Sequence, residues 1–428
     1  MSGLLKLRNL RALWTVAETG SVSQAARQLN LSQPAVTHAV KRVEAQLGIR
    51  IFERRHNGMA LTPVGEIVNR RIGQVFDQLD AAERELSHLR RARPGGRKPA
   101  GSILRSINHT QLLALVEVAN CKSVPYAAER IGVTEPVVYR ALRELEDVLA
   151  ENLFHRGTNF TPTAPGEFLV RRAKLVFAEL RHMRDEIVTY QGRMAGRIII
   201  GTLPSSRTTL VPRAIAQLSL KYPELRFSMI DEPYDEMLAG LRCGDIDVIV
   251  GSVRHPPSVK DVYEEILYLE PVSLLARAGH PLMKKSDISI SDLASFGWVV
   301  PRKGVPTRDY FESLFHKRDI SPPADFVETD SLIATRALLV ENDRLTIISP
   351  NRAYFELRIG LLDIVPFDVS ELSFQFGYTV RAQDSPPPGI SEFLAALKKV
   401  GSDQCADWDI AAGMPVAATN HPRPGRLG

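Results

Sequence analysis

Gln33, Thr37 and Lys41 follow one another at steps of four, with His38 and Arg42 alongside. On a helix that spacing gathers an amide, a hydroxyl, two cations and an imidazole on one face. Such groups can bond the edges of base pairs and neutralise phosphates. A lone polar stripe is more often an ordinary solvated face, so its surroundings must decide. Ser32 stands ready to cap the helix, and Pro34 falls in the first turn, where its missing N–H costs nothing. Arg50, Arg54 and Arg55 cluster in "IRIFERRHNGMALTPVG", which reads as strand, turn, strand with Asn57-Gly58 as the tight-turn signal. Five Lys/Arg against two Glu give Ser32 to Arg55 a local charge of +3.

Two further helices must hold that stripe. Leu10, Leu13, Val16 and Ala17 share one face of a helix that Thr19-Gly20 ends. Ser21 or Ser23 can cap a second helix carrying Ala25, Ala26 and Leu29, whose alanines permit close helix approach. "LNLS" is then a turn, and Val36, Ala39, Val40, Val43 and Leu47 of the third helix point inward. The sum is a winged helix-turn-helix with a basic stripe, which points to double-stranded DNA as partner.

The stretch resembles the N-terminal domain of LysR-type transcriptional regulators. The family's Ser-Gln-Pro-Ala is here Ser32-Gln33-Pro34-Ala35, and its Leu-Glu-x-x-Leu-Gly is Val43-Glu44-Ala45-Gln46-Leu47-Gly48. Its Leu-Phe-x-Arg is Ile51-Phe52-Glu53-Arg54, and its Leu-Thr-x-x-Gly is Leu61-Thr62-Pro63-Val64-Gly65. The resemblance implies DNA contact by Ser32, Gln33, Pro34, Thr37, His38, Lys41, Arg42, Arg54 and Arg55. After the wing, Val68, Ile72, Val75, Leu79, Ala82, Leu86 and Leu89 alternate steps of four and three, a coiled-coil seam. In the family the corresponding linker helix dimerises; packing against the chain's own domain is the other reading.

The unit then recurs. Beyond the basic, Pro/Gly-rich "RRARPGGRKPAGS", residues 112 to 159 match residues 10 to 57 at an offset of 102, with 17 identities in 48. A second seam follows in Leu169, Ala173, Val176, Leu180, Met183 and Ile187. The usual family member carries one such unit, so this chain departs from the pattern. Gln33, Thr37 and Lys41 become Glu135, Tyr139 and Arg143, and Arg42 becomes Glu144; Thr134 to Arg156 carries a charge of −2. The second copy should therefore bind DNA more weakly alone. Glu135, Tyr139, Arg140, Arg143 and Arg156 are its candidate contacts, in a reader of a second half-site or in a dimerisation or protein-contact module.

From Arg197 strands alternate with helices, which predicts a mostly parallel α/β sheet with ligands beyond the strands' carboxyl ends. "LRCGDIDVIVG" matches a family pattern, Leu-x-x-Gly-x-x-Asp. The resemblance implies a two-lobed effector domain like type 2 periplasmic binding proteins, with a cleft and a chain that crosses over twice. Thr202, Ser205 and Ser206, then Arg302, Thr307 and Arg308, then Thr329 and Ser331, and finally Ser349 all sit at strand ends. Hydroxyls and amides there suit an oxyanion or a sugar hydroxyl, and arginines suit a carboxylate or phosphate. The wording of "GTLPSS" and "GSVRHPP" is similar to that of sugar-responsive members.

Composition fits that reading. Three widely separated cysteines, Cys121, Cys243 and Cys405, argue against disulfides and thiolate metal sites and for a reducing, cytoplasmic setting. No run is apolar enough to cross a bilayer, and the polar start is not a signal peptide. No catalytic, phosphate-loop or metal motif is present, so neither an enzyme nor a cofactor or metal is expected. The expected fold class is α/β multidomain: two winged helix-turn-helix domains with linker helices, then the two-lobed effector domain. The boundaries are 1–66 for the first DNA-binding domain, 67–92 for its linker helix and 93–106 for a flexible basic linker. Residues 107–167 form the second domain, 168–194 its linker helix, 195–400 the effector domain and 401–428 a disordered tail. Expected partners are DNA, a small-molecule inducer, further copies in a homodimer or homotetramer, and RNA polymerase, with no membrane.

Overall fold

The computed structural model describes residues 5–56, 58–91, 107–155, 159–253, 257, 259–317, 319–369, 371–382 and 386–411. The chain forms two compact units, the first built on Met1–Gly196 and the second on most of the remainder.

In the first unit, α1 (Leu7–Thr19) ends on Gly20, whose φ of 65° closes the helix in the left-handed region. Ser21 caps α2 (Val22–Leu29) and Ser32 caps α3 (Gln33–Leu47), each accepting from the backbone three residues on. Strands β1 (Phe52–Arg55) and β2 (Gly58–Leu61) form the wing, and α4 (Pro63–Arg91) follows. The register pairs Arg55 with Gly58, which the expected turn at Asn57-Gly58 had placed in the loop; Asn57 lies outside the described residues. Gly58 belongs to the strand instead. Its φ is 122°, and a Cβ there would stand 2.4 Å from the Gly20 carbonyl oxygen, which accepts from the Met59 N–H.

The second copy builds the same arrangement from α5 (His109–Cys121), α6 (Val124–Ile131), α7 (Glu135–Leu149) and α8 (Ala164–Tyr190). Where the first has a two-stranded wing, the second shows among the described residues a bridge from Phe154 to Pro162. Two tethers recur at equivalent positions. Glu44 accepts from the Ile51 N–H at 2.7 Å, and Glu146 accepts from the Leu153 N–H at 2.8 Å, tying each third helix to the chain that leaves it. Gly65 and Gly166 let each long helix start against that same chain, since a Cβ would lie 2.2 Å from Ile51 O or 2.0 Å from Leu153 O.

The two seams meet each other. Val68, Ile72, Val75, Leu79, Ala82 and Leu86 are buried together with Leu169, Ala173, Val176, Leu180, Met183 and Ile187 in one apolar core. The side chain of Leu89 lies outside the described residues. Residues early in α4 contact residues late in α8 and the reverse, so the pair is antiparallel. What the heptads offered as a dimer seam is thus filled from within the same chain.

The second unit has two five-stranded sheets, each over its own apolar core. One has the order β4-β3-β5-β12-β6, from β3 (Ala195–Thr202), β4 (Glu224–Ile230), β5 (Val248–Ser252), β6 (Val262–Pro271) and β12 (Ser373–Arg381). The other has the order β11-β7-β10-β8-β9, from β7 (Ser273–Arg277), β8 (Gly297–Val300), β9 (Phe326–Glu328), β10 (Arg344–Ile348) and β11 (Leu362–Ile364). The chain passes between lobes at β6 to β7 and returns at β11 to β12, the double crossover. The expectation of mostly parallel sheets is corrected here. Strands β7, β11 and β12 pair antiparallel with their neighbours, because strands that cross or return between lobes enter each sheet reversed. A second correction concerns the tail. The last helix runs over Pro388–Ala411, and Gln404 is buried with its amide donating to Thr209, so residues 401–411 are helical rather than disordered. Residues 412–428 lie outside the described residues.

Candidate nucleic-acid interface and effector cleft

Helix α3 buries Val36, Val40 and Val43 against α1 and α2, which turns the polar stripe outward. Ser32, Gln33, Pro34, Thr37, His38, Lys41 and Arg42 are all exposed, and so are Arg54 and Arg55 on β1. Arg55 is held by Glu53 at 2.6 Å, leaving its cation partly offset. The α3 N-terminus adds its own backbone N–H donors and positive dipole end to this surface. The face can take a polyanion and read it.

On the second head, Glu135, Tyr139, Arg140 and Arg143 are exposed along α7; Arg156 lies outside the described residues. Glu144 is engaged instead, accepting from the Gln111 amide at 3.1 Å. Pro125, Ala128, Val133, Pro136 and Tyr139 line a shallow cavity of about 580 Å³ between α6 and α7, with Glu129 and Glu135 on its border.

The cleft candidates divide into two kinds. Ser206 donates to Leu203 O, Ser331 caps the helix Leu332–Glu341, Thr329 accepts from the Ser331 N–H, and Thr202 donates to Ile230 O. These four serve the backbone around them. Arg308 is buried and paired with Glu312 and Glu328, and exposed Arg302 pairs with Asp330. Thr307 is half-buried at the start of the helix Pro306–His316, and no polar partner marks it among the described residues.

Ser205 and Ser349 meet on a residue that spacing did not flag. Glu270, on β6 just before the first crossover, is 1% exposed. It accepts from Ser349 Oγ at 2.6 Å and Asn351 Nδ2 at 3.2 Å, both from the β10 lobe, and from Ser205 of the β3 lobe. Burial pushes its carboxyl up to about 7, although those hydrogen bonds oppose the shift. Arg352 lies beside it and donates to Asp330 O; Arg207, near Arg352, donates to Thr202 O and pairs with Asp231. The Arg352 Nε–H is buried with no hydrogen-bond partner among the described residues. Burial lowers the pKa of both arginines. A buried carboxyl, two serines and an amide, with two arginines nearby, form a polar cluster between the lobes whose chemistry suits a small anionic or hydroxylated ligand. No apolar period marks Glu270, Asn351 or Arg352, and no sequence signal singled them out.

Two family models match the chain. One, the bacterial regulatory helix-turn-helix protein of the lysR family, matches residues 7–66 and again 109–167; the other, the LysR substrate binding domain, matches residues 191–402. The chain belongs to the LysR family. It is a DNA-binding transcriptional regulator with a substrate-binding domain, and its relatives are regulators, not enzymes. The HTH-type transcriptional regulator GalR of Pseudomonas putida is 29% identical over 402 residues, covering 94% of this chain and 98% of that one. The regulator PcaQ of Agrobacterium fabrum is 28% identical over 298 residues, 96% of its own length but 69% of this chain. ArgP of Mycobacterium tuberculosis shares the fold with a TM-score of 0.54 at 20% identity, over 68% of this chain and 96% of that structure. A full-length OxyR variant of Pseudomonas aeruginosa gives 0.53 at 23% identity, over 68% and 94%. Among the described residues of this LysR-family chain, no helix is long and apolar enough to cross a membrane.

Proposed function

We propose that this regulator grips operator DNA with its first head and adjusts that grip to an inducer held in the effector cleft. The observation that carries the reading is the exposed stripe of Gln33, Thr37, His38, Lys41 and Arg42 on a capped helix, beside Arg54 and Arg55 of the wing. Ser32 and Pro34 set that helix's start at the duplex. Residues 1–66 are then the reading domain and 195–400 the sensing domain. The inducer is a small organic acid or sugar-like acid, because the polar cluster at Ser205, Glu270, Ser349 and Arg352 offers a cation and hydroxyls with one free N–H. Closure of the lobes on it shifts a pre-existing balance between two arrangements of the protein on DNA. The regulator works in the cytoplasm as a homo-oligomer and communicates with RNA polymerase.

Footprinting on the protein's own upstream region tests the reading. Lys41→Ala with Arg54→Ala should abolish protection at moderate salt, and an unchanged footprint from the folded double variant would overturn it.

A second reading has an observation of its own. Exposed Tyr126, Val137 and Tyr139 and the acid-bordered cavity at Pro125 and Pro136 give the second head an apolar face where the first is basic. On that reading the second head contacts protein and leaves DNA to the first.

A further inference from the structure

The contacts between α4 and α8 repeat themselves under exchange of the two copies. Past the wings the copies align at an offset of 101, because the second wing is one residue shorter. Arg71 then corresponds to Arg172, Gln78 to Glu179, and Glu85 to Glu186. Arg71 donates to Glu179 at 2.8 Å and to Glu186 at 2.5 Å. Arg172 donates to Gln78 at 2.9 Å and also pairs with Glu85. Each arginine thus grips, in the other copy, the residues seven and fourteen places beyond its own equivalent. That is the mark of an isologous two-fold interface, here made by two unlike halves of one chain. Both apolar seams are buried in it, so neither is left to pair with another molecule.

The two heads attached to this pair differ where they would meet a duplex. The first carries Gln33, Thr37, Lys41 and Arg42; the second carries Glu135, Tyr139, Arg140 and Arg143, all exposed. A carboxylate at the start of a recognition helix accepts from the cytosine amino group, whereas an amide in that place prefers adenine. Resting on the reading of the first head as a DNA reader, we propose that one chain is a complete two-headed reading unit. Its α4–α8 pair sets two unlike heads on the same duplex, so its operator is an asymmetric pair of half-sites. The first head supplies most of the phosphate affinity. The second adds sequence discrimination through Glu135, Arg140 and Arg143. Tethering makes the second contact intramolecular, so even a weak head adds occupancy at a high effective concentration.

The test uses the full chain on a pool of randomised duplexes about four helical turns long, with selection of bound sequences. The expected motif has two unlike halves. Glu135→Gln should relax the preference at one position of one half by about 10-fold, and Gln33→Ala should do so only in the other half. Co-expressing Lys41→Ala/Arg54→Ala chains with Arg140→Ala/Arg143→Ala chains should not restore the full affinity and two-half preference of the unaltered protein, because each chain's own pair lacks one working head. Restoration by the mixture, or an inverted repeat whose halves both respond to Gln33→Ala, would show pairing between chains and overturn the proposal. A motif untouched by Glu135→Gln and by Arg140→Ala/Arg143→Ala would overturn it too and leave the second head to a protein partner. Loss of all response to the first-head changes would instead defeat the DNA reading itself. The altered residues are exposed, and unchanged amide protection along α4 and α8 shows that the variants remain folded.

Discussion

Arg71 offers the sharpest test of how the two copies are joined. Its guanidinium is fully buried, facing Glu179 at 5% and Glu186 at 4% exposure. Burial pulls its pKa down, but the two glutamates outweigh that and hold it above its ordinary value. In Arg71→Met, Glu186 keeps its second partner, Arg70, at 2.6 Å, whereas Glu179 is left buried without its cation. Breaking a buried pair costs about 3–5 kcal/mol, mostly through the charge left behind, and the surviving Arg70 contact places this case near 3. The pseudo-symmetric mate behaves differently. Arg172 is 18% exposed, Glu85 is 32% exposed and Gln78 is neutral, so Arg172→Met should cost about 1 kcal/mol or less. Hydrogen exchange with mass spectrometry on the full chain reads both. Amides in the middle of α4 and α8 should exchange about a hundredfold faster in Arg71→Met and only a few-fold faster in Arg172→Met. Adding Glu179→Gln to Arg71→Met should return most of the protection, since no isolated carboxylate then remains buried. Equal effects of the two arginine changes, or no recovery in the double variant, would refute the assignment of the cost to Glu179.

Other outcomes follow from the same geometry. Lys41→Ala and Arg54→Ala should each weaken binding to the footprinted DNA by roughly 5- to 100-fold and flatten its salt dependence, as read by titration at several ionic strengths. The Glu270 carboxyl is raised from 4.5 to about 7 in the folded state, so its contribution is present in full below pH 4.5 and is lost as pH rises through 7. That amounts to about 3 kcal/mol across the window, and Glu270→Gln should remove most of this slope in urea unfolding of the ligand-free protein. Ser205→Ala should change the inducer response while operator binding persists; loss of both would make it a folding residue. Gly58→Ala should cost the first head about 2–3 kcal/mol through its φ of 122° and the Gly20 contact, seen as faster exchange at the end of α1.

Much of this was legible in the residues. Helix ends at Gly20, Ser21 and Ser32 follow from local capping chemistry, which needs no distant partner. The outward stripe on α3 follows from the inward period of Val36, Val40 and Val43. The repeat of the whole unit is written in an offset of 102 up to the wings and of 101 along the linker helices. Even the Arg71 network left a trace, an arginine followed by polar or acidic residues at seven and fourteen in each copy. Spacing alone could not say what those residues would face.

Tertiary structure decided the rest, because each remaining question concerned which of several compatible surfaces meet. A heptad seam is equally satisfied by another molecule or by its own duplicate; the fold joins α4 to α8. Gly58 joined the strand rather than the turn because it is held against Gly20, a contact between elements far apart in sequence. Serines at strand ends pointed toward a cleft, yet four of the hydroxyl candidates serve nearby backbone, and Ser205 and Ser349 meet instead on Glu270. A glutamate on an edge strand carries no periodic signal, and only the crossing of β6 into the second lobe buries it between Ser205 and Ser349.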